Sequence, residues 1–323
     1  MRSSILKASL AFIVCFAVLA AAGRVLAQSW LSASIGGGGE TIALVNIEGI
    51  ITAGAPAASL MGGATSASSV AICDRLYRAK DDPSVRGVLL RVNSPGGSAV
   101  GSDEIYRAIV ALKTAGKPVV VSMGDLAASG GYYVSSPASY IYANGATFTG
   151  SIGVIFSMLN WEQLGKKLGL SEVTITAGAH KDIGNPWRAM TEDERQLMTA
   201  MLSDVHEQFI KAVDEGRQNL NEAQVRTLAT GMVFTGQQAL GNGLVDAIGG
   251  LHEAEIKVRE LAKVPADAPV EEYGAPSFFE QLMGVSSSGA MSGALSQLIG
   301  EEPLNVLARG LYLNTTLRDL VVR

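Results

Sequence analysis

The stretch Val119-Val120-Val121-Ser122-Met123-Gly124-Asp125-Leu126-Ala127-Ala128-Ser129-Gly130-Gly131-Tyr132-Tyr133 decides how the rest of the chain is read. A β-branched run that gives way to small residues, then to Gly-Gly and a helix-compatible segment, predicts a buried strand feeding a tight turn into a helix. Ser129 stands at the entrance of that helix. Its neighbours Ala127, Ala128, Gly130 and Gly131 are small, so the hydroxyl and the next backbone N–H are left uncovered, as an acyl-transfer nucleophile requires. The simpler role open to Ser129 is to cap the helix.

Working outward toward the N-terminus, Val88-Leu89-Leu90-Arg91-Val92 predicts a second buried strand, and it ends in Asn93-Ser94-Pro95-Gly96-Gly97-Ser98. Ile105, Ile109 and Leu112 then give a following helix one apolar face. Glycine N–H groups in such a turn can point outward, although an ordinary type II turn has the same composition. Two successive strand-turn-helix units in a parallel sheet bring their carboxyl ends side by side, where α/β proteins hold their sites. One turn offers a hydroxyl and an N–H; the other offers a second N–H. Thr41–Ile51 predicts a further strand with a turn or bulge at Glu48-Gly49, and Ser68–Lys80 a helix.

Toward the C-terminus, the pattern predicts a helix over Ser129–Ser136 and a strand over Tyr140–Ala143. The glycine-punctuated segment Thr149-Gly150-Ser151-Ile152-Gly153 comes next, then a short helix over Asn160–Leu168 and a strand over Val173–Thr176. A long loop, 177–186, precedes the capping box Thr191-Glu192-Asp193-Glu194. That box opens a helix whose Leu197, Met201, Val205, Phe209 and Val213 form a core-facing stripe. Shorter capped helices are expected at Asn221 and Thr235, and another from Leu251 to Lys263. Alternating strands and helices define one α/β domain over 41–265 with a mainly parallel sheet.

The remaining segments differ in character. Arg2 and Lys7 precede an apolar run from Ala8 to Gly23, so residues 1–27 are expected to be an N-terminal membrane helix, a retained anchor with the rest of the chain exported. A cleaved signal ending at Val25-Leu26-Ala27 is the alternative. Residues 28–40, with Gly36-Gly37-Gly38-Gly39, form a linker, and 266–323 a helical or partly disordered tail. The chain of 323 residues is 48% apolar with a net charge of −5 and no basic stripe, which excludes nucleic acid as a partner. Its two cysteines, Cys15 and Cys73, have no metal-ligand spacing, and no metal or cofactor is expected.

A serine nucleophile needs a general base. Of the three histidines, His206 and His252 fall on predicted helices in ordinary solvated surroundings, and His180 lies in the long loop. Lys181 follows it, outside any charged helical face, whereas Lys166 and Lys167 belong to a solvated one. A lysine acts as a base only when neutral, so its reference pKa of about 10.4 has to fall by roughly two to three pH units through burial. Ser151, in its own glycine-rich turn, could orient the amine. The residues alone leave Ser129 with Lys181 and Ser129 with His180 both open.

Four motifs, Val92-Asn93-Ser94-Pro95-Gly96-Gly97, Asp125 to Tyr133, Thr149-Gly150-Ser151-Ile152-Gly153-Val154 and Lys181-Asp182, occur in an order that resembles the bacterial signal peptide peptidase (SppA-type) family in its short, single-domain form. The resemblance covers roughly residues 41–260 and implies a crotonase/Clp-protease-like fold of repeated ββα/βα units. It implies Ser129 as nucleophile, Lys181 as general base and Ser151 as the hydroxyl that orients the lysine. The N–H groups of Gly130 and Gly97, the latter in preference to Gly96, become the oxyanion hole. It further implies a membrane-anchored endopeptidase of the bacterial inner membrane with its catalytic domain on the extracytoplasmic side. Its substrates would be apolar, signal-peptide-like peptides. The resemblance also implies a homo-oligomeric ring in which neighbouring subunits share each active site. A Clp-like Ser/His peptidase using His180, a crotonase-type acyl-CoA enzyme and a non-catalytic membrane scaffold are the rival readings.

Overall fold

The computed structural model describes residues 40–54 and 66–273. The expected membrane helix or signal at 1–27 and nearly all of the linker lie outside these residues, as does the tail from 274 onward. Among the described residues no helix is long and apolar enough to cross a membrane.

A mainly parallel sheet forms the centre. Its principal strands are β1 (Thr41–Glu48), β4 (Val85–Ser94), β5 (Val119–Ala128), β6 (Tyr140–Ala143), β9 (Ala247–Ile248) and β10 (Val270–Glu272), in the order β10-β1-β4-β5-β6-β9. Strand β7 (Phe148–Gly150) pairs in parallel with the end of β5, and β8 (Val233–Thr235) pairs antiparallel with β7. A separate two-stranded piece, β2 (Ile50–Thr52) with β3 (Ser66–Ser68), follows the turn at Gly49. Strand β10 carries the sheet past residue 265, where the sequence pattern places the domain's end, because its residues continue the ladder on β1.

Both faces of the sheet are covered, which is why β4 and β5 read as nearly unbroken apolar runs. Ile42, Leu89 and Val120 point to one face, against Ala254, Val258 and Ala262 of helix α8 (Leu251–Ala262). Their strand neighbours Val45, Leu90 and Val121 point to the other, into the larger core. That core takes side chains from α1 (Ser69–Asp81), α2 (Ala99–Thr114) and α3 (Gly130–Ser135), and from the second half of α5 (Glu192–Gly216).

Two expectations fail. Val173–Thr176 is not a strand: Val173 is 84% and Ile175 93% exposed, and β-branched residues without a ladder partner have no reason to extend. The apolar stripe of α5 is also split. Phe209 and Val213 are buried, but Leu197 and Met201 stand in solvent, because only the C-terminal half of this 25-residue helix lies on the core. Helices α4 (Glu162–Leu168), α6 (Glu222–Leu228) and α7 (Gly236–Gly241) complete the chain, and Thr191, Asn221 and Thr235 each form the capping box that their sequences imply.

Candidate active site

The site is assembled where β5 changes neighbours. Val120–Ser122 pair with β6, whereas Leu126–Ala128 pair with β7. Between them β5 bulges against β4: Val92 faces Met123, but Ser94 faces Ala127, so one residue of β4 is spanned by three of β5. Two polar side chains satisfy the bulge. Asn93 Oδ1 accepts the Leu126 N–H at 3.2 Å, and the buried Thr147 hydroxyl donates to Gly124 O at 2.7 Å. Past the bulge, the last three residues of β5 keep β4 on one side through Ala127 and exchange β6 for β7 on the other, and the chain runs on into Ser129.

Ser129 has φ 52° and ψ −121°, a conformation a non-glycine residue holds only under constraint. The constraint is visible: its N–H donates to Gly150 O at 2.8 Å, and its carbonyl accepts the N–H groups of Tyr132 and Tyr133. Its hydroxyl makes no capping bond, so the simpler helix-capping role is not the one it plays. A serine raised on a strained strand-to-helix turn presents its Oγ outward, as nucleophile turns in α/β hydrolases do. Ser151 repeats the geometry with φ 52°, its N–H bonded to Met232 O at 2.8 Å. The Ser129–Gly150 bond ties the two serine turns together.

The Pro-Gly-Gly turn closes on the same place. The Gly96 N–H donates to Ser94 Oγ at 3.1 Å, whereas the Gly97 N–H finds no acceptor among the described residues. Gly97 has φ 150°, and a Cβ there would collide with the carbonyl of Ile51, so no side chain fits. At Gly130 a Cβ would lie 3.2 Å from Gly97 N and 2.5 Å from Ser102 Oγ, which shows how closely the two turns approach. The Pro-Gly-Gly turn and the Ser129-Gly130 turn therefore lie against each other.

Ser129, Gly97, Gly130 and Ser151 line one cavity of about 800 Å³, walled on the far side by α5 through Leu202, His206 and Phe209. His206 is thus not a solvated helix residue: its Nε2 is buried without a hydrogen-bond partner among the described residues. Behind α3, Tyr132 donates to Leu244 O at 2.9 Å, and Tyr133 donates to Asp103 at 3.2 Å. Burial holds both phenols well above their ordinary pKa and so neutral. The helix that follows Ser129 is anchored by its own two tyrosines.

Lys181 is placed differently. It is exposed, as is His180, and neither lines the cavity of its own chain. It belongs to a largely exposed arm, residues 155–190, that follows the buried Ile152 and ends at α5. Among the described residues no cluster has the make-up of a metal site. The sequence reading did not single out Asn93, Thr147 or His206. Asn93 sits inside a quoted motif, but only the register reveals its use; Thr147 and His206 carry no local signal.

A serine on a strained turn and two glycines thus line one cavity at the carboxyl end of the parallel strands of an α/β fold. Residues 111–265 match the model of Peptidase family S49. Protease 4 of Haemophilus influenzae is 37% identical over 287 residues, covering 86% of this chain and 45% of that protein. The serine protease SPPA, chloroplastic, of Arabidopsis thaliana is 30% identical over 293 residues, covering 88% of this chain and 43% of that one. A solved structure of a mutant of the 1510-N membrane-bound stomatin-specific protease covers 74% of this chain and 99% of its own, at 16% identity and a TM-score of 0.44. Residues 111–265 thus carry a Peptidase family S49 domain, and the chain is similar to SppA-type peptidases. It spans less than half the length of these two curated relatives.

Proposed function

We propose that the chain is a serine endopeptidase in which Ser129 is the nucleophile and Lys181 the general base, on a crotonase/Clp-protease-like fold. The observation that carries this reading is the Ser129 turn itself: a strained serine with its hydroxyl uncommitted to capping, next to the free N–H groups of Gly97 and Gly130. Neutral Lys181 takes the Oγ proton as Ser129 attacks the scissile carbonyl, and the oxyanion lies between the two glycine N–H groups. Each donor of this kind is worth about 2.7–4 kcal/mol. The amine leaves with the proton from Lys181, and water, activated by the same lysine, hydrolyses the acyl-enzyme. Ser151 accepts a hydrogen bond that aims the amine.

Lys181 reaches Ser129 from a second copy of the chain. The support is that Lys181 is exposed and absent from its own chain's cavity, while its arm carries Ile155, Leu159, Leu168, Val173 and Ile175, each more than half exposed. An arm so apolar is built to be covered, and copying the contact head to tail closes a ring. Burial in that contact supplies the desolvation that a lysine base needs. The ring stands on a bacterial inner membrane through the N-terminal anchor, with the catalytic domain outside the cytoplasm. It degrades apolar peptides such as released signal peptides.

A second reading keeps catalysis within one chain and uses His206, because it is the histidine that lines the Ser129 cavity; His180 is a third candidate base. Labelling by a serine-directed phosphonate separates them. We expect no labelling of Ser129→Ala, loss in Lys181→Ala, and retention in His206→Ala and His180→Ala. Mixing unlabelled Ser129→Ala and Lys181→Ala chains, with reassembly, should restore activity at about a quarter of the sites if the site is shared. Full activity of Lys181→Ala would overturn the assignment of the base.

A further inference from the structure

We propose that Arg188 is the positioning residue that fixes the Lys181 backbone to the main body of the protein, through a clamp of Asp182, Arg188 and Glu194. The inference rests on Lys181 being the base. A base carried on an exposed arm has to be held at one distance and one angle, or the reacting atoms lose their alignment. Covering the arm with a second copy buries its apolar surface but does not by itself determine where residue 181 stands relative to the helix that follows.

The clamp supplies that register. A guanidinium has five N–H donors in a rigid fork, and all five of Arg188 are engaged. Nε donates to Asp182 Oδ2 at 2.9 Å, and one Nη2 hydrogen reaches the Asp182 carbonyl at 3.3 Å. Nη1 donates to Glu194 Oε2 at 2.8 Å and to Ala189 O at 3.1 Å, and the remaining Nη2 hydrogen bonds Glu194 Oε1. Both the side chain and the carbonyl of the residue after Lys181 are therefore held by one planar group. Glu194 is in turn immobile: its side chain is 5% exposed, and its Oε2 also accepts the Thr191 N–H at 2.9 Å in the capping box of α5. The path from Lys181 to the first turn of α5 is thus three residues long and made of charge-assisted bonds.

Neighbouring bonds give the same loop a closed shape. The N–H groups of Lys181, Ile183 and Asn185 return to the carbonyls of Gly178, His180 and Asp182, and Asn160 Nδ2 donates to the Arg188 carbonyl at 3.0 Å. Arg188 is the group common to the loop and the helix. It also occupies Asp182, which otherwise is the carboxylate nearest in sequence to the Lys181 ammonium. No lysine could replace it, because an ammonium has three donors and no fork.

The test uses the full chain in its assembled state. Arg188→Met should lower kcat by about 10–100-fold with KM within about twofold, while oligomer mass stays that of the wild type. Amide exchange at 181–185 should accelerate, and exchange in β4 and β5 should not. Asp182→Asn, with Arg188 intact, keeps an oxygen for Nε and leaves the backbone bond in place, so its kcat should fall less than that of Arg188→Met, by about threefold. Wild-type kcat in Arg188→Met, or unchanged exchange at 181–185, would overturn the proposal while an inactive Lys181→Ala left the base assignment standing. An active Lys181→Ala would remove that assignment and the clamp's purpose with it.

Discussion

Replacing Thr147 by valine tests what holds the β5 bulge that leads into Ser129. The two side chains have nearly the same shape, so only the hydroxyl is lost, and that hydroxyl is the partner of Gly124 O inside the β5 bulge. Thr147 is 1% exposed, so water cannot take its place at the carbonyl. A buried acceptor left without a donor costs about 1–3 kcal/mol. The hydroxyl also accepts the Asn144 N–H at 3.1 Å, but Asn144 is exposed and its N–H can turn to water at little cost. The sum is about 2 kcal/mol, which for a domain of this size lowers Tm by about 4–8 °C. Thr147→Ser keeps the hydroxyl and loses a buried methyl, worth about 1 kcal/mol. Scanning calorimetry should therefore rank wild type above Thr147→Ser and Thr147→Ser above Thr147→Val. If burial of apolar surface governed the position, valine would be the more stable of the two. A valine variant that melts with or above the serine variant refutes the bulge argument.

Other outcomes follow from buried charge and titration. Arg217 is almost wholly buried and forms a two-pronged pair with Asp246, which is 25% exposed and keeps the Ile141 N–H, so Arg217→Met should cost about 1–3 kcal/mol in urea unfolding. Glu194 is held down to about 2, first by the hydrogen bond from Arg188 and then by the Thr191 N–H. Its folded value lies below the unfolded one, so its contribution is complete above about pH 4.5 and is lost as pH falls toward 2. Amide exchange at 181–185, corrected for intrinsic rate, should stay slow at pH 5 and accelerate near pH 2; a midpoint near pH 4.5 would mean the clamp is absent. Burial, followed by the charge of Glu104, pushes the Cys73 thiol up to about 11. In a Cys15→Ser background, its alkylation at pH 8 should be at least about a hundredfold slower folded than unfolded.

Much of the framework was legible because it is local. The alternation of apolar strands with capped helices, the three capping boxes, and glycines next to serines are properties of a few adjacent residues, and physics acts on them over one turn. Failures came where a segment's fate depends on a neighbour far along the chain. Val173–Thr176 has strand composition but no strand to join, and β10 has acidic, unremarkable residues yet joins β1 because that edge was open. His206 reads as a surface histidine until α5 is laid across the cavity.

For the site the division is similar. By itself the sequence determined which residues could do the chemistry: a serine between small residues, a paired-glycine turn and a lysine in a loop belonging to no helical face. Only the tertiary structure decided that Ser129 is strained and uncommitted to capping. It also distinguished the two glycines, since the Gly96 N–H is bonded to Ser94 Oγ while that of Gly97 has no acceptor among the described residues. It set Lys181 outside its own chain's cavity as well. The reason is that residue type and backbone freedom are encoded position by position, whereas the direction of a hydroxyl and the vacancy of an N–H depend on partners that only long-range packing brings near.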